Sequence, residues 1–325
     1  MVMRSLIAKI WKFLALLILV IKVVPTVQAE PYPQKPIRVI VPSPAGSATD
    51  YIARLIAHQL NKRTQQPVIV DNKPGANGFI AAQAAAKARP DGYTLLVTAN
   101  STHAANAALF KKLPYDPVKD FSPITTIASS PLILVAAPGF EANSPSELAR
   151  LAAGNPGKLS FASGNAPSRI GGELFKMMAG IDMLHVPYRG APQALADVMG
   201  GQVSVMWTDL VTGIPLLQSG RVKAMAVTSR VRLRALPSVP TMIEAGYPGY
   251  VLSAWVGVFG PANTPASIVS KLNDLIHAGA REQESEIERV GGELLLTSPG
   301  SFAHLQAADI AMWIKVTKAA GMEPE

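Results

Sequence analysis

Cysteine is absent from all 325 residues, so the chain forms no disulfide, offers no cysteine for a diacylglyceryl anchor and has no thiolate for a metal. The five histidines, His58, His103, His185, His277 and His304, make no His-x-x-x-His pair, and no calcium loop of repeated acids occurs. Neither a metal nor a cofactor is therefore expected. A Gly-x-Ser-x-Gly nucleophile turn is missing, and so is a Gly-Lys-Ser/Thr end that would grip nucleotide phosphates. Aromatic residues make up 6% of the chain and the basic residues are scattered, which leaves no stacking platform beside a basic groove and argues against nucleic acid.

A membrane-length apolar run is lacking too. The N-terminal run, Phe13 to Ile21, is nine residues long and Lys22 follows at once, whereas a span needs about 20. Arg4, Lys9 and Lys12 precede the run, and Val27-Gln28-Ala29 supplies a small-x-small cleavage pattern. The segment reads as an export signal removed after Ala29. Its four basic residues, taken from 30, leave 26 against 22 acidic, a net charge of +4 that mildly favours small anions. What remains is long enough for two domains.

The rest is organised around Ile37 to Leu60, IRVIVPSPAGSATDYIARLIAHQL. A buried strand over 37–41 empties through a small-residue loop into a helix carrying Ile52, Leu55, Ile56 and Leu60 on one side. Such a helix start leaves backbone N–H groups without partners, a seat for a carboxylate. Strands over 67–70 and 93–98 and a helix over 79–88 complete an α/β unit with a parallel sheet. An apolar strand over 131–137 leads into a second region, where the device recurs as strand 159–162, loop 163–168 and helix 170–179. Further strands are read at 183–186, 203–207 and 222–228, with helices at 191–199 and 212–218. A strand over 251–260 returns to the first region, which helices at 265–281, 282–290 and 301–320 and a strand at 293–297 complete. The expected division is 1–29 signal, 30–131 first part of lobe 1, 132–251 lobe 2 and 252–325 the remainder of lobe 1. Two crossings between lobes make a hinge.

Seven segments in order, VPSPAGSATD, VDNKPGANG, RPDGYTLLV, LPYDPVKDFSPI, HVPYRG, MAVTSRVRLRALPSVPTMIEAGYPGY and AWVGVFGPANTP, resemble the extracytoplasmic solute receptors of tripartite tricarboxylate transporters, also called the Bordetella uptake gene receptors. The resemblance covers nearly the whole chain after the signal. It implies an α/β fold of the type 2 periplasmic binding protein kind, with two hinged lobes, an interlobe cleft for a small organic carboxylate, a periplasmic location and no catalysis. The partners it implies are membrane-embedded transporter subunits or a sensor kinase, with the receptor itself a monomer. Two other readings stay open: a sensory adaptor that presents a bound carboxylate to a histidine kinase, and a secreted enzyme acting on a carboxylated or esterified molecule.

The first seat is Gly46, Ser47, Ala48, Thr49 and Asp50, where short residues permit close backbone approach. Asp50 is set either to brace the helix start or to take a ligand ammonium or hydroxyl. Ser43 and Ser47 stand where many relatives have Phe and Gly, so that side of the cleft should be roomier and more polar. The opposite seat is Ser163, Gly164, Asn165, Ala166 and Ser168, followed by Arg169, which stands where relatives often have His and whose planar fork suits a carboxylate. Tyr188, Arg189 and Gly190 lie in a turn that the family places at the cleft. Thr208 and Asp209, and Asn100, Ser101 and Thr102, follow strand ends, where open α/β sheets bind ligands. Tyr247, Tyr250 and Trp255 near the return crossing either reach the cleft or pack between lobes.

Overall fold

A computed structural model describes residues 32–324 except 189 and 290, together with Met3. The export segment read at 1–29, Met3 excepted, and Arg189 lie outside these residues. The chain divides into units 1–34 and 35–325, and the fold lies in the second. No helix among the described residues is long and apolar enough to cross a membrane.

The first sheet begins with β1 (Ile37–Val41), buried at four of its five positions because both faces are covered. It lies parallel to β2 (Val68–Asn72) on one side and to β3 (Thr94–Ala99) on the other. Helix α1 (Ala48–Thr64) follows β1, capped by the Ser47 hydroxyl, which accepts from the Asp50 amide. Helix α2 (Phe79–Ala86) precedes β3. Beyond β3 the chain enters a π-helical turn over Ser101–Ala105 and the short helix α3 (Asn106–Leu109).

The strand expected over 131–137 starts ten residues earlier. As β4 (Phe121–Ala136) it runs through both sheets. Phe121 to Pro131 pair with β9 (Ser253–Pro261) in the first sheet, and Leu132 to Ala136 pair with β7 (Val205–Asp209) in the second. The early half is hidden from pattern reading for two reasons. Its pairing with β9 slips at Pro123/Thr125 and again at Thr126/Ala128, which breaks the alternation. Thr125 and Thr126 are also fully buried polar residues, and their hydroxyls bond His277 and Thr297 respectively. β9 lies between β3 and β4, antiparallel to both. The short β10 (Glu293–Leu294), read in the sequence as far as 297, pairs with β4 as well.

In the second sheet β7 is antiparallel to β4 and parallel to β5 (Ser160–Ser163), which in turn pairs with β6 (Leu184–Pro187). β8 (Lys223–Val227) lies antiparallel to β4. Helices α4 (Pro145–Gly154), α5 (Ala166–Ala179), α6 (Ala191–Met199) and α7 (Leu210–Gln218) accompany this sheet. Helices α8 (Ala266–Arg281), α9 (Glu284–Arg289) and α10 (Pro299–Ala319) close the chain. One apolar cluster joins Phe259, Phe302 and Trp313 of the first half to Phe161, Phe175, Trp207 and Tyr250 of the second. Tyr250 is fully buried, its hydroxyl donating to the Gly171 carbonyl at 2.6 Å. Trp255 is buried and donates to Asp309 at 2.9 Å. Both aromatics therefore belong to the core.

Candidate functional site

A cleft of about 780 Å³ opens between the β1 and β3 strand ends and the start of α5. Of the residues singled out in the sequence, Ser43, Asn100, Ser101, Thr102, Ala166 and Arg169 line it. The Pro74 to Gly78 turn also contributes, as do Asn106, Trp313, Met322 and Glu323, none of which sequence reasoning nominated. The glycine-rich turn was visible in DNKPGANG but carries little side-chain chemistry. Trp313, Met322 and Glu323 arrive from the far end of the chain with no local signal.

The remaining candidates are tied into the protein around the cleft. The Gly46 amide donates to Asp50 Oδ2 at 2.8 Å, and Arg54 Nε donates to the same oxygen at 2.9 Å. Asn72 Nδ2 donates to Asp50 Oδ1 at 2.8 Å and also to the Ser43 carbonyl at 3.0 Å. Burial works to raise the Asp50 pKa, but the bonds from Arg54, Gly46 and Asn72 outweigh it and hold the carboxyl below its ordinary value. Asp50 thus braces the β1–α1 loop. Asp50→Ala would remove the shared acceptor of the exposed Gly46 amide and Arg54 guanidinium and the half-buried Asn72 amide and should lower stability by about 1–2 kcal/mol, read as a shift in the urea midpoint. The amides of Ala48 and Thr49 have no partner among the described residues.

On the other side Asn165 caps α5 by accepting from the Ser168 amide at 2.9 Å, and the buried Ser168 hydroxyl donates to the Trp207 carbonyl at 2.5 Å. Gly164 sits tight against the start of α6, so that a Cβ there would meet the Ala191 nitrogen at 2.3 Å. Ser163 Oγ bonds His185 Nε2 at 2.7 Å. Ser163 is buried and outside the cleft lining, so the pair fastens β5 to β6 rather than presenting a nucleophile. Tyr188 donates to Asp197 at 2.6 Å, and burial together with that bond pushes its phenol up to about 12. Gly190 occupies the cap position of α6. Asp209 caps α7 through the Thr212 amide at 2.9 Å, and the buried Thr208 shares a hydroxyl bond with Thr212. None of these residues lines the cleft.

Arg169 differs from all of them. Its side chain has no hydrogen bond or ion pair with any described residue, and its Nε is buried without a partner. It stands in the first turn of α5, where the helix dipole already places positive charge. Pro167 has no amide proton and Asn165 takes the Ser168 amide, so the Ala166 amide is left at the cleft without a described partner. Glu323, exposed in the C-terminal segment, is the other charged residue in the lining.

Behind the opposite wall lies a half-buried carboxyl. Asp309 of α10 accepts from Asn100 Nδ2 at 3.2 Å and from Trp255 Nε1 at 2.9 Å, both through Oδ2. Burial, only partly offset by those bonds, raises its carboxyl to about 6.

Two α/β lobes, linked by a strand that runs through both sheets and facing each other across a cleft, define a periplasmic binding protein of type 2. The family described as "Tripartite tricarboxylate transporter family receptor" matches residues 52–287. BugT of Bordetella pertussis is 33% identical over 301 residues, covering 91% of this chain and 92% of that protein. The solved structure of R. palustris Rpa4515 with adipate is 34% identical with a TM-score of 0.68, over 90% of this chain and 100% of the other. MatC from Rhodopseudomonas palustris with bound malate is also 34% identical, with a TM-score of 0.63 over 88% and 99%. The chain belongs to the tripartite tricarboxylate transporter receptor family.

Proposed function

We propose that this protein is an exported receptor, its signal removed after Ala29, that captures an organic carboxylate in the cleft and hands it to membrane-embedded transporter subunits. Binding without catalysis is the whole of its task in this reading. Lobe 1 comprises 30–131 and 252–325, and lobe 2 comprises 132–251. The observation that carries the reading is Arg169, a cation with an unpaired buried nitrogen at the positive end of a helix, on the wall of the cleft. Two like-signed elements placed together cost free energy until an anion joins them. A carboxylate accepting from the guanidinium and the Ala166 amide would satisfy both. The lobe 1 amides of Ala48 and Thr49 offer a second seat for the far end of the molecule on closure. A ligand that touches both lobes favours the closed form by its differential affinity for it. Family membership and the carboxylates held by Rpa4515 and MatC support the same class of solute.

The test is calorimetric titration of the purified protein, stripped of ligand by unfolding and refolding, with citrate, tartrate, malate, succinate, adipate, benzoate and terephthalate. At least one acid should bind and raise the melting temperature. Arg169→Gln should weaken that acid roughly 10–100-fold, the worth of a charge-assisted hydrogen bond. Undiminished affinity in Arg169→Gln would remove the guanidinium from the site.

A further inference from the structure

Two asparagines in the lobe 1 wall of the cleft have their amide groups held in one orientation. Asn100 Nδ2 donates to the Ser253 carbonyl at 3.3 Å and to Asp309 Oδ2 at 3.2 Å. Asn106 Nδ2 donates to the Asn77 carbonyl at 2.9 Å and to the Tyr115 hydroxyl at 3.2 Å. The Tyr115 proton is already given to the Thr102 carbonyl, so that hydroxyl is left to accept. A backbone carbonyl accepts only, which fixes nitrogen inward and oxygen outward at both residues. With both N–H protons spent, each side chain offers only its Oδ1. Neither Oδ1 has a partner among the described residues, neither is sealed from solvent, and both residues line the cleft.

Arg169 and the Ala166 amide present donors on the lobe 2 side, while on the lobe 1 side Asn100 and Asn106 present fixed acceptors beside the Ser43, Ser101 and Thr102 hydroxyls, which serve either way. A carboxylate oxygen laid against either Oδ1 would set acceptor to acceptor, and a donor on the ligand satisfies both groups. We infer that the solute is a hydroxycarboxylate, whose carboxylate faces Arg169 and whose hydroxyl donates to Asn100 Oδ1 or Asn106 Oδ1, with Asp309 acting as the positioning residue that keeps the Asn100 oxygen turned to the ligand. The inference rests on the receptor reading above and narrows its solute class. A site built to take a hydroxyl discriminates against the analogue lacking it, because the acceptor that the bound molecule covers is then left unpaired.

Calorimetric titration with malate, tartrate, succinate and aspartate decides it, since malate and aspartate are succinate with one hydroxyl or one ammonium added. Malate or tartrate should bind at least tenfold tighter than succinate. Asp309→Asn, which lets the amide at 309 compete for the orientation of Asn100, should cut that preference to below threefold. A merely structural role for Asp309 would weaken both acids together and leave the ratio standing, which overturns the positioning assignment. Succinate binding as tightly as malate and tartrate overturns the hydroxyl assignment and leaves the receptor reading intact. Aspartate binding tighter than malate overturns it in favour of an ammonium. No binding by any of these four acids overturns this inference, and the receptor reading falls with it only when the wider panel of acids also fails to bind. The ratio in the unaltered protein needs no variant to fold.

Discussion

His103→Leu is expected to remove the largest acid-induced loss of stability between pH 6 and pH 4. His103 is wholly buried, both ring nitrogens lack partners, and the ring lies 4.4 Å from Phe259 and 4.5 Å from Phe121, centroid to centroid. Burial in that aromatic box pushes its pKa from 6.5 down to about 3. The unfolded chain therefore binds a proton below pH 6.5 that the folded protein refuses, and stability falls as pH falls, by about 5 kcal/mol once pH 3 is reached. Asp309 works in the opposite sense. Its carboxyl, raised from 3.8 to about 6, makes the folded protein the stronger proton binder between those values. That contribution is complete below about pH 4 and is lost as pH rises through 6, about 3 kcal/mol in all. The two nearly cancel between pH 6 and pH 4, leaving the acid penalties of His185 and His277, which burial also holds below their ordinary pKa, so the unaltered protein should lose stability gently there and steeply below. In His103→Leu the Asp309 effect opposes only those two histidines, and the change in stability from pH 6 to pH 4 should be more favourable than in the unaltered protein by about 2–3 kcal/mol. In Asp309→Asn the loss should begin near pH 6.5. Urea midpoints at pH 4, 5, 6 and 7 check this, and parallel curves for all three proteins would refute it.

Gly164→Ala carries the second large effect. The added Cβ would lie 2.3 Å from the Ala191 nitrogen and 2.4 Å from the Gly190 carbonyl carbon, and these are backbone atoms at the start of α6 that cannot swing aside. The β5–α5 loop has to lift, at a cost of about 3 kcal/mol or more. Because Asn165, Ala166 and Arg169 follow directly in the chain, the carboxylate seat is displaced with it. Lower stability and weaker acid binding should therefore appear together. Gly139→Ala, where a Cβ meets nothing within 4 Å, should shift neither by more than about 0.5 kcal/mol.

The parts of the fold that could be read from the sequence were those whose burial is simple. β1 and β3 are parallel strands covered on both faces, and continuous apolar runs announce them. Phe121 to Ser130 could not be read because threonine, serine and proline fill a strand whose polar groups are satisfied by Thr297 and His277, more than a hundred residues later. At the cleft, Ser43, Asn100 to Thr102, Ala166 and Arg169 were accessible as loop and strand-end residues. The candidates at Ser47, Asn165 and Asp209 show why the signal is ambiguous: an anion seat and a helix cap draw on the same unpaired amides and choose the same short polar residues. Here all three side chains cap their own helices. Asn106, Trp313 and Glu323 come to the cleft only through tertiary packing, which no local pattern encodes.

The position of β9 between β3 and β4 has a consequence for the order of assembly. A chain emerging from its N-terminus makes β3 and β4 long before Ser253 to Pro261 exist, and the two strands do not pair with each other. Until β9 arrives, Leu96 to Ala99 and Phe121 to Pro131 are bare edges, able to recruit any extended segment. The second sheet, by contrast, needs nothing beyond Val227 to pair all its strands. The growing chain therefore passes through a state in which one half can close on itself while the other waits for its central strand. The vulnerable interval ends only when the insertion is made.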